Sequence, residues 1–222
     1  MSVSEIVIFG ASGHAKVVVD IIDSNPSLQL IGFIDKDAPK GTTILGYDVI
    51  GDEGALLTLM KTYNFSKGVV GIGDNTIRRK VVQNILNLAP EFEFVNCIHS
   101  SANISEHCQL GMGNVVMPGV TINAASVIAD HCILNTHSSL DHDSTMHSFS
   151  SLAPHVAVGG NCRIGQSASI GIGASVFHGI SIGDHCVIGG GSVVNTDTQA
   201  NATYYGVPAK RISRSDIDKT EQ

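Results

Sequence analysis

Every sixth residue from Ile98 onward is large and aliphatic: Ile98, Ile104, Leu110, Val116, Ile122, Ile128, Leu134, Leu140, Met146, Leu152, Val158, Ile164, Ile170, Val176, Ile182, Ile188 and Val194. In a chain that is 43% hydrophobic, chance fills one fixed phase this way about once in a million. No residue is inserted or deleted along the run. The position four further on is mostly small, as at Ala102, Cys108, Ser126, Cys132, Ser138, Ser144, Ser150, Cys162, Ala168, Ala174, Cys186 and Ser192. Glycine often follows the aliphatic residue, where a corner needs conformational latitude. The pattern predicts a parallel β-helix with six-residue sides, aliphatic residues pointing inward and small residues filling the corners. Four of the five cysteines fall in the small position, which makes them interior fillers, not disulfides or metal ligands.

Upstream the period changes. Residues 3–9, "VSEIVIF", read as a buried strand. "GASGHA", Gly10–Ala15, is a turn of small residues, "KVVVDIIDS" a helix, and "LQLIGFID", Leu28–Asp35, a second strand. This βαβ unit has glycines in its first turn and an acid at the end of its second strand. It resembles a dinucleotide fingerprint without matching G-x-G-x-x-G. The alternative is a plain strand-to-helix turn. Backbone N–H groups at the helix start favour a phosphate, and Asp35 is placed to accept ribose or base hydrogen bonds. A further strand, "GVVGIGD", leads into the helix "NTIRRKVVQNIL", with Asn75 as its cap. The expected division is an α/β Rossmann-like domain over 1–93, a β-helix over 94–212 and a polar tail over 213–222.

Charge narrows the partners. The 222 residues carry a net charge of −7, which argues against nucleic acid or an anionic membrane as the main partner. The basic spots Arg78–Lys80 and Lys210–Arg211 are left to hold single phosphates. The N-terminus reads as a strand, not a signal peptide, and no apolar run approaches the ~20 residues that span a bilayer. A cytoplasmic protein is expected.

The hexads resemble the left-handed β-helix of hexapeptide-repeat acyltransferases, and "GVPAK" before Arg211 resembles their C-terminal signature. The resemblance implies three sides and about eighteen residues per coil, so residues eighteen apart stack in columns. His142 then lies one coil from Gly160, beside the bare backbone of Gly159–Gly160. The polar stretch "SLDHDSTMHSFSS" keeps Leu140, Met146 and Leu152 in phase, so only its outward and corner positions have turned polar.

The set "IFGASGHAKVVVD", "FIDKD", "GIGDNTIRRK", "IHSSA", "NT", "DHD", "GGN" and "GVPAK" resembles the PglD/NeuD-type sugar acyltransferases over nearly the whole chain. Such enzymes acetylate nucleotide-linked amino-sugars, or sialic acid, with acetyl-CoA. They are homotrimers with intersubunit active sites and need no metal. The resemblance implies that Gly10, Ser12, Gly13 and His14 line the nucleotide-sugar pocket, with Asp35 and Lys36 near the nucleoside and Asn135 in the active site. It implies His142 as general base and Asp143 as its acidic support, with Gly160 and Lys210 near the coenzyme. The family often has histidine nine residues after the base, near the thioester. Here that position is Ser151, whose hydroxyl still donates. Family members also usually read "IHPSA", where this chain has Ser100.

An amine must lose a proton as it attacks a thioester, and an imidazole near neutrality accepts it. The N–H groups of Gly159 and Gly160 are candidate oxyanion donors. Adjacent residues on a strand face opposite ways. Asp143 therefore supports His142 only if a corner falls between them or a water bridges; otherwise Asp141 or another chain's carboxylate must act. His107, His131, His137, His155 and His185 share one repeat position and read as exposed or turn residues, while His147 and His178 are candidates for a subunit interface. The leading expectation is N-acetylation of a UDP-4-amino-4,6-dideoxy sugar, ahead of O-acetylation of sialic acid or another sugar. Two remote readings stand beside it. One is a zinc enzyme like the β-helical carbonic anhydrases, from the spacings of His137, His142 and His147; the other is a non-catalytic nucleotide-binding scaffold.

Overall fold

The computed structural model describes residues 3–212; the polar tail expected over 213–222 lies outside them. The chain divides into two compact units. The first runs to Ser100 and takes in Met112–Pro118; the second comprises Ser101–Gly111 and continues from Gly119.

The first unit is an α/β layer structure. Its elements are β1 (Ser4–Phe9), α1 (Gly13–Asp23), β2 (Leu28–Ile34), β3 (Thr43–Ile44), β4 (Tyr47–Gly51), α2 (Leu56–Tyr63), β5 (Lys67–Val70), α3 (Asn75–Leu88) and β6 (Glu93–Phe94). The sheet order is β3-β4-β2-β1-β5-β6. All pairs are parallel except the β3–β4 hairpin. Ile6, Val7, Ile8 and Phe9 are all 0% exposed, the uninterrupted apolar run of a strand covered on both faces. Helix α1 buries Ala15, Val18, Val19, Ile21 and Ile22, a stripe of helical period. Phe92 meets Phe9 and Phe94 edge-to-face at 5.4 and 5.3 Å, a geometry that adds about 0.5–1.5 kcal/mol per pair to area burial.

The order around β1 sets the site. Strand β2 lies on one side of it and β5 on the other, so the connection leaving β1 runs toward β2 while that leaving β5 runs the opposite way toward β6, and the two diverge at the C-terminal ends of β1 and β5. Such a switch point is where open α/β sheets form ligand crevices.

The second unit is a three-sided parallel β-helix of two-residue strands, and it winds left-handed. Residues eighteen apart pair throughout, as in Ile122 with Leu140, Leu140 with Val158, and Val158 with Val176. Leu140, Met146, Leu152, Ile164 and Ile170 are all 0% exposed, and burying each such side chain contributes about 1.5–3 kcal/mol. The expected phase is the observed one.

Most corners carry a residue in the left-handed region. These include His131, His137, Asp143, Phe149, His155, Asn161, Ser167 and His185, with φ between 54° and 62°. The N–H of the corner residue donates to a carbonyl one coil below, as Asp143 does to Ala124 at 3.1 Å and Asn161 to His142 at 2.9 Å. The small residues do more than fill space. Ser144 Oγ donates to the Gly159 carbonyl at 3.2 Å, and Cys162 Sγ to the Phe177 carbonyl at 3.1 Å. They thus satisfy corner carbonyls that the strands leave over. All five cysteines are free thiols.

Candidate functional site

In the first unit, a cleft of about 560 Å³ opens at the C-terminal edge of the sheet, lined by Gly10–Ser12, Ile34–Asp37, Glu53 and Ile72, and by Ile77, Lys80, Val81 and Asn84 of α3. Gly10 has φ +98°, and a Cβ there would meet Ile72 Cγ1 at 2.7 Å, so only glycine lets β1 turn into the cleft wall. Ser12 is the N-cap of α1, but its side chain makes no capping hydrogen bond. The first-turn N–H groups, with Gly13 open to solvent, are left for a polar ligand.

Asp35 lines the cleft and also has a structural task. Its Oδ2 accepts the Ala11 N–H at 2.7 Å, and its Oδ1 accepts those of Asp37 and Ala38 at 2.8 and 2.9 Å. The carboxylate ties the loop after β1 to the loop after β2. Beside it in the cleft stand exposed Lys36, which pairs with Asp37 at 3.6 Å, and Glu53 and Asn84.

Three expectations change. The cap of α3 is Asp74, which accepts the Ile77 N–H at 2.8 Å. Asn75 is buried instead and accepts from Arg78 at 2.6 Å. Arg78 is 1% exposed and also donates to the carbonyls of Ile72 and Gly73 at 3.1 and 3.0 Å. It therefore braces the loop after β5 from inside and is no surface phosphate holder; Lys80 takes the cleft-facing position. His14 was expected to line the pocket. Burial, helped by the Arg78 charge, pushes its pKa down to about 4, and its Nε2 is buried without a hydrogen-bond partner. It is a neutral imidazole at physiological pH.

In the second unit, His142 and Asp143 occupy a corner after Leu140. Because Asp143 takes φ +56°, the two adjacent side chains converge, and His142 Nδ1 lies 2.8 Å from Asp143 Oδ2. Asp141, the alternative support, accepts the His142 backbone N–H at 2.8 Å and the Asn123 amide at 2.7 Å. The hydrogen bond to Asp143, followed by the charge of Asp141, raises the imidazole pKa above its ordinary value.

The other face of the ring lies over Gly160: a Cβ there would stand 2.7 Å from both Cε1 and Nε2 of His142. The expected pair of oxyanion donors reduces to one. The Gly159 N–H already donates to the Val176 carbonyl at 2.9 Å, whereas among the described residues no acceptor engages that of Gly160. Gly159 is glycine for another reason, since a Cβ would meet the His178 backbone N at 2.8 Å.

Asn135, Ser151 and Lys210 stand elsewhere within the chain. Asn135 follows Leu134 in the column that Leu152 and Ile170 continue, and its Oδ1 accepts the Thr136 N–H at 2.8 Å. Ser151 lies on the sheet face between Ile133 and Ser169. Lys210 opens a terminal strand paired antiparallel with Thr203–Tyr205. His137 and His155 stack at one exposed corner with ring centroids 5.4 Å apart. His131 is a turn residue too, yet 5% exposed and stacked on Phe149 at 5.1 Å. Among the described residues, no group of three or more His, Cys, Asp or Glu side chains is placed to hold a metal ion.

A family model described as the PglD N-terminal domain matches residues 5–85. PerB from Caulobacter crescentus, solved with CoA and GDP-perosamine, superposes with a TM-score of 0.88 at 36% identity, over 96% of this chain and 99% of that one. The acetyltransferase domain of PglB from Neisseria gonorrhoeae FA1090, solved with acetyl coenzyme A, gives 0.86 at 30% identity over 95% and 100%. A UDP-N-acetylbacillosamine N-acetyltransferase from Bacillus subtilis (strain 168) is 30% identical over 114 residues, 50% of each chain. The chain spans half or less of the length of the curated relatives it matches. The likeness to the solved structures runs the length of both units, and the chain belongs to the PglD/NeuD-type family of sugar acyltransferases.

Proposed function

We propose that the protein transfers the acetyl group of acetyl-CoA to the amino group of a nucleotide-linked amino-sugar, directly and without an acyl-enzyme. The observation that carries this reading is the His142–Asp143 pair set over the side-chain-free Gly160. The Nδ1–H donates to Asp143 and fixes the tautomer, which leaves the Nε2 lone pair free. As the amine nitrogen bonds to the thioester carbon, Nε2 takes the proton that nitrogen loses. The carbonyl oxygen becomes an oxyanion, for which the unengaged Gly160 N–H serves as donor. Collapse breaks the C–S bond and expels the CoA thiolate. A base of this kind contributes ~10²–10⁴-fold, and one oxyanion donor about 3–4 kcal/mol at the transition state.

Relatives support the amine over a hydroxyl acceptor: PerB is a perosamine N-acetyltransferase, and variants of it with one histidine replaced by asparagine or alanine align at a TM-score of 0.90. In this reading Ser12, Gly13 and Lys36 hold the nucleotide-sugar, with His14 packed behind them, Asn135 and Ser151 complete the acceptor and donor sites in a homotrimer, and Lys210 meets the coenzyme. No helix among the described residues is long and apolar enough to cross a membrane. We place the reaction in the cytoplasm, where acetyl-CoA and nucleotide-sugars are made.

The test is CoA release against a panel of GDP-, UDP- and dTDP-linked amino-sugars with sialic acid included. Turnover of an amino-sugar, lost in His142→Ala with the fold intact, is expected. Acetylation of sialic acid alone, or full activity in His142→Ala, would refute the reading.

A further inference from the structure

The cleft wall opposite the α1 turn carries chemistry that phosphate binding does not explain. Glu53 sits in a short 3-10 turn fixed by Asp52, whose side chain accepts the Gly54 N–H at 2.8 Å. Asn84 projects from α3 into the same cleft, where its amide favours the ionised Glu53 carboxylate. Both line the cleft alongside Ile77 and Val81. Burial raises the Glu53 pKa against the opposing effects of Asn84 and Lys36, and no ion pair engages this carboxylate among the described residues. The fold thus holds a half-buried carboxylate beside an amide, next to aliphatic side chains of the kind that pack against the faces of a ring.

Such a pair offers two acceptor oxygens with a donor N–H group alongside. Guanine presents the complement along one edge: O6 accepts, while N1–H and the N2 amino group donate. Uracil presents one N–H between two carbonyls, which sets a carbonyl oxygen against the carboxylate. Adenine and cytosine each donate from one amino group beside a ring acceptor. A site with buried polar groups discriminates because the wrong partner leaves them unpaired.

We propose that Glu53 and Asn84 read the base of the nucleotide-sugar and select guanine over uracil, Glu53 accepting N1–H and the N2 amino group while Asn84 donates to O6. This rests on the reading that the cleft takes the nucleotide, and it departs from the uridine expected from the sequence.

The test is calorimetric titration of the intact protein with GDP, UDP and inosine diphosphate, which lacks only the N2 amino group. GDP is expected to bind roughly ten- to a hundred-fold tighter than UDP, and inosine diphosphate to fall between them. Glu53→Gln, which replaces one acceptor with a donor, should weaken GDP at least about ten-fold and close most of the gap to UDP, with acetyl-CoA affinity unchanged as the folding control. UDP binding as tightly as GDP would overturn the inference and leave the nucleotide-sugar reading standing. No diphosphate binding at all would overturn both. Equal affinity for GDP and inosine diphosphate, or an unchanged GDP preference in Glu53→Gln, would remove the assignment to Glu53; the inosine comparison needs no variant.

Discussion

His142 and Asp143 are neighbours in sequence, yet their side chains meet at 2.8 Å. Extended backbone would point them apart. The left-handed conformation of Asp143, φ +56°, is what turns one toward the other, and aspartate tolerates that region better than most residues. The corner of the β-helix thus builds the pair at no cost to the core beneath it, where Leu140 remains fully buried.

Asp143→Asn tests the electrostatic half of this relationship. Asparagine also accepts the left-handed conformation, so the fold should persist. The imidazole acts only when neutral at Nε2, so kcat/KM rises with pH as His142 loses its proton. Its pKa is held above 6.5, first by Asp143. Without that carboxylate the acidic limb should move to lower pH, and the plateau rate should fall about ten-fold or more as the tautomer is lost. A pH–rate profile with an unmoved limb would remove Asp143 from its role.

Gly160→Ala tests the approach to the ring. The added methyl would lie 2.7 Å from Cε1 and Nε2 of His142, touching side-chain atoms only, whereas Gly159→Ala would press on the His178 backbone N at 2.8 Å. Gly160→Ala should therefore lower kcat by about two orders of magnitude with little change in Tm. Gly159→Ala should lower Tm by several degrees. Similar Tm losses in both would show that Gly160 is glycine for folding alone.

Asp35→Ala should release both loops at the cleft. Three backbone N–H groups lose their acceptor, and those of Ala11 and Ala38 are partly buried. The expected loss is about 2 kcal/mol of stability, with KM for the nucleotide-sugar raised more than kcat is lowered. Binding and kinetics at two acetyl-CoA concentrations would separate this from any effect on the coenzyme.

How much of this was legible in the sequence depends on which forces decide each feature. The hexad phase is set by one inward residue in six, so Leu140 and its column could be read without coordinates. The convergence of Asp143 on His142 could not, because it rests on a dihedral that the strand-like pattern "SLDHD" conceals. The β3–β4 hairpin carries no clear sequence signal, because its turn is Leu45–Gly46, with φ 50° and 87°, not the Asn-Gly that usually marks such a turn. Arg78 looked like a surface cation in "RRK"; only the packing of α3 against the loop after β5 shows it inside. Glu53 had no signal at all, since its place in the cleft comes from a turn brought there by the sheet order.

The last prediction concerns His14 and acid. Its folded pKa is pushed down to about 4 from an ordinary 6.5, by burial first and by Arg78 second. Between those values the unfolded chain binds a proton that the folded protein refuses, so stability is fully present above about pH 6.5 and is lost as pH falls toward 4. A displacement of this size corresponds to about 3 kcal/mol across the window. His14→Gln does not titrate and keeps a polar side chain at the site. Tm of the wild type should fall by several degrees between pH 7 and pH 4.5 beyond the fall seen in the variant. The two curves running parallel through that window would mean that His14 reaches solvent and is not held neutral by its burial.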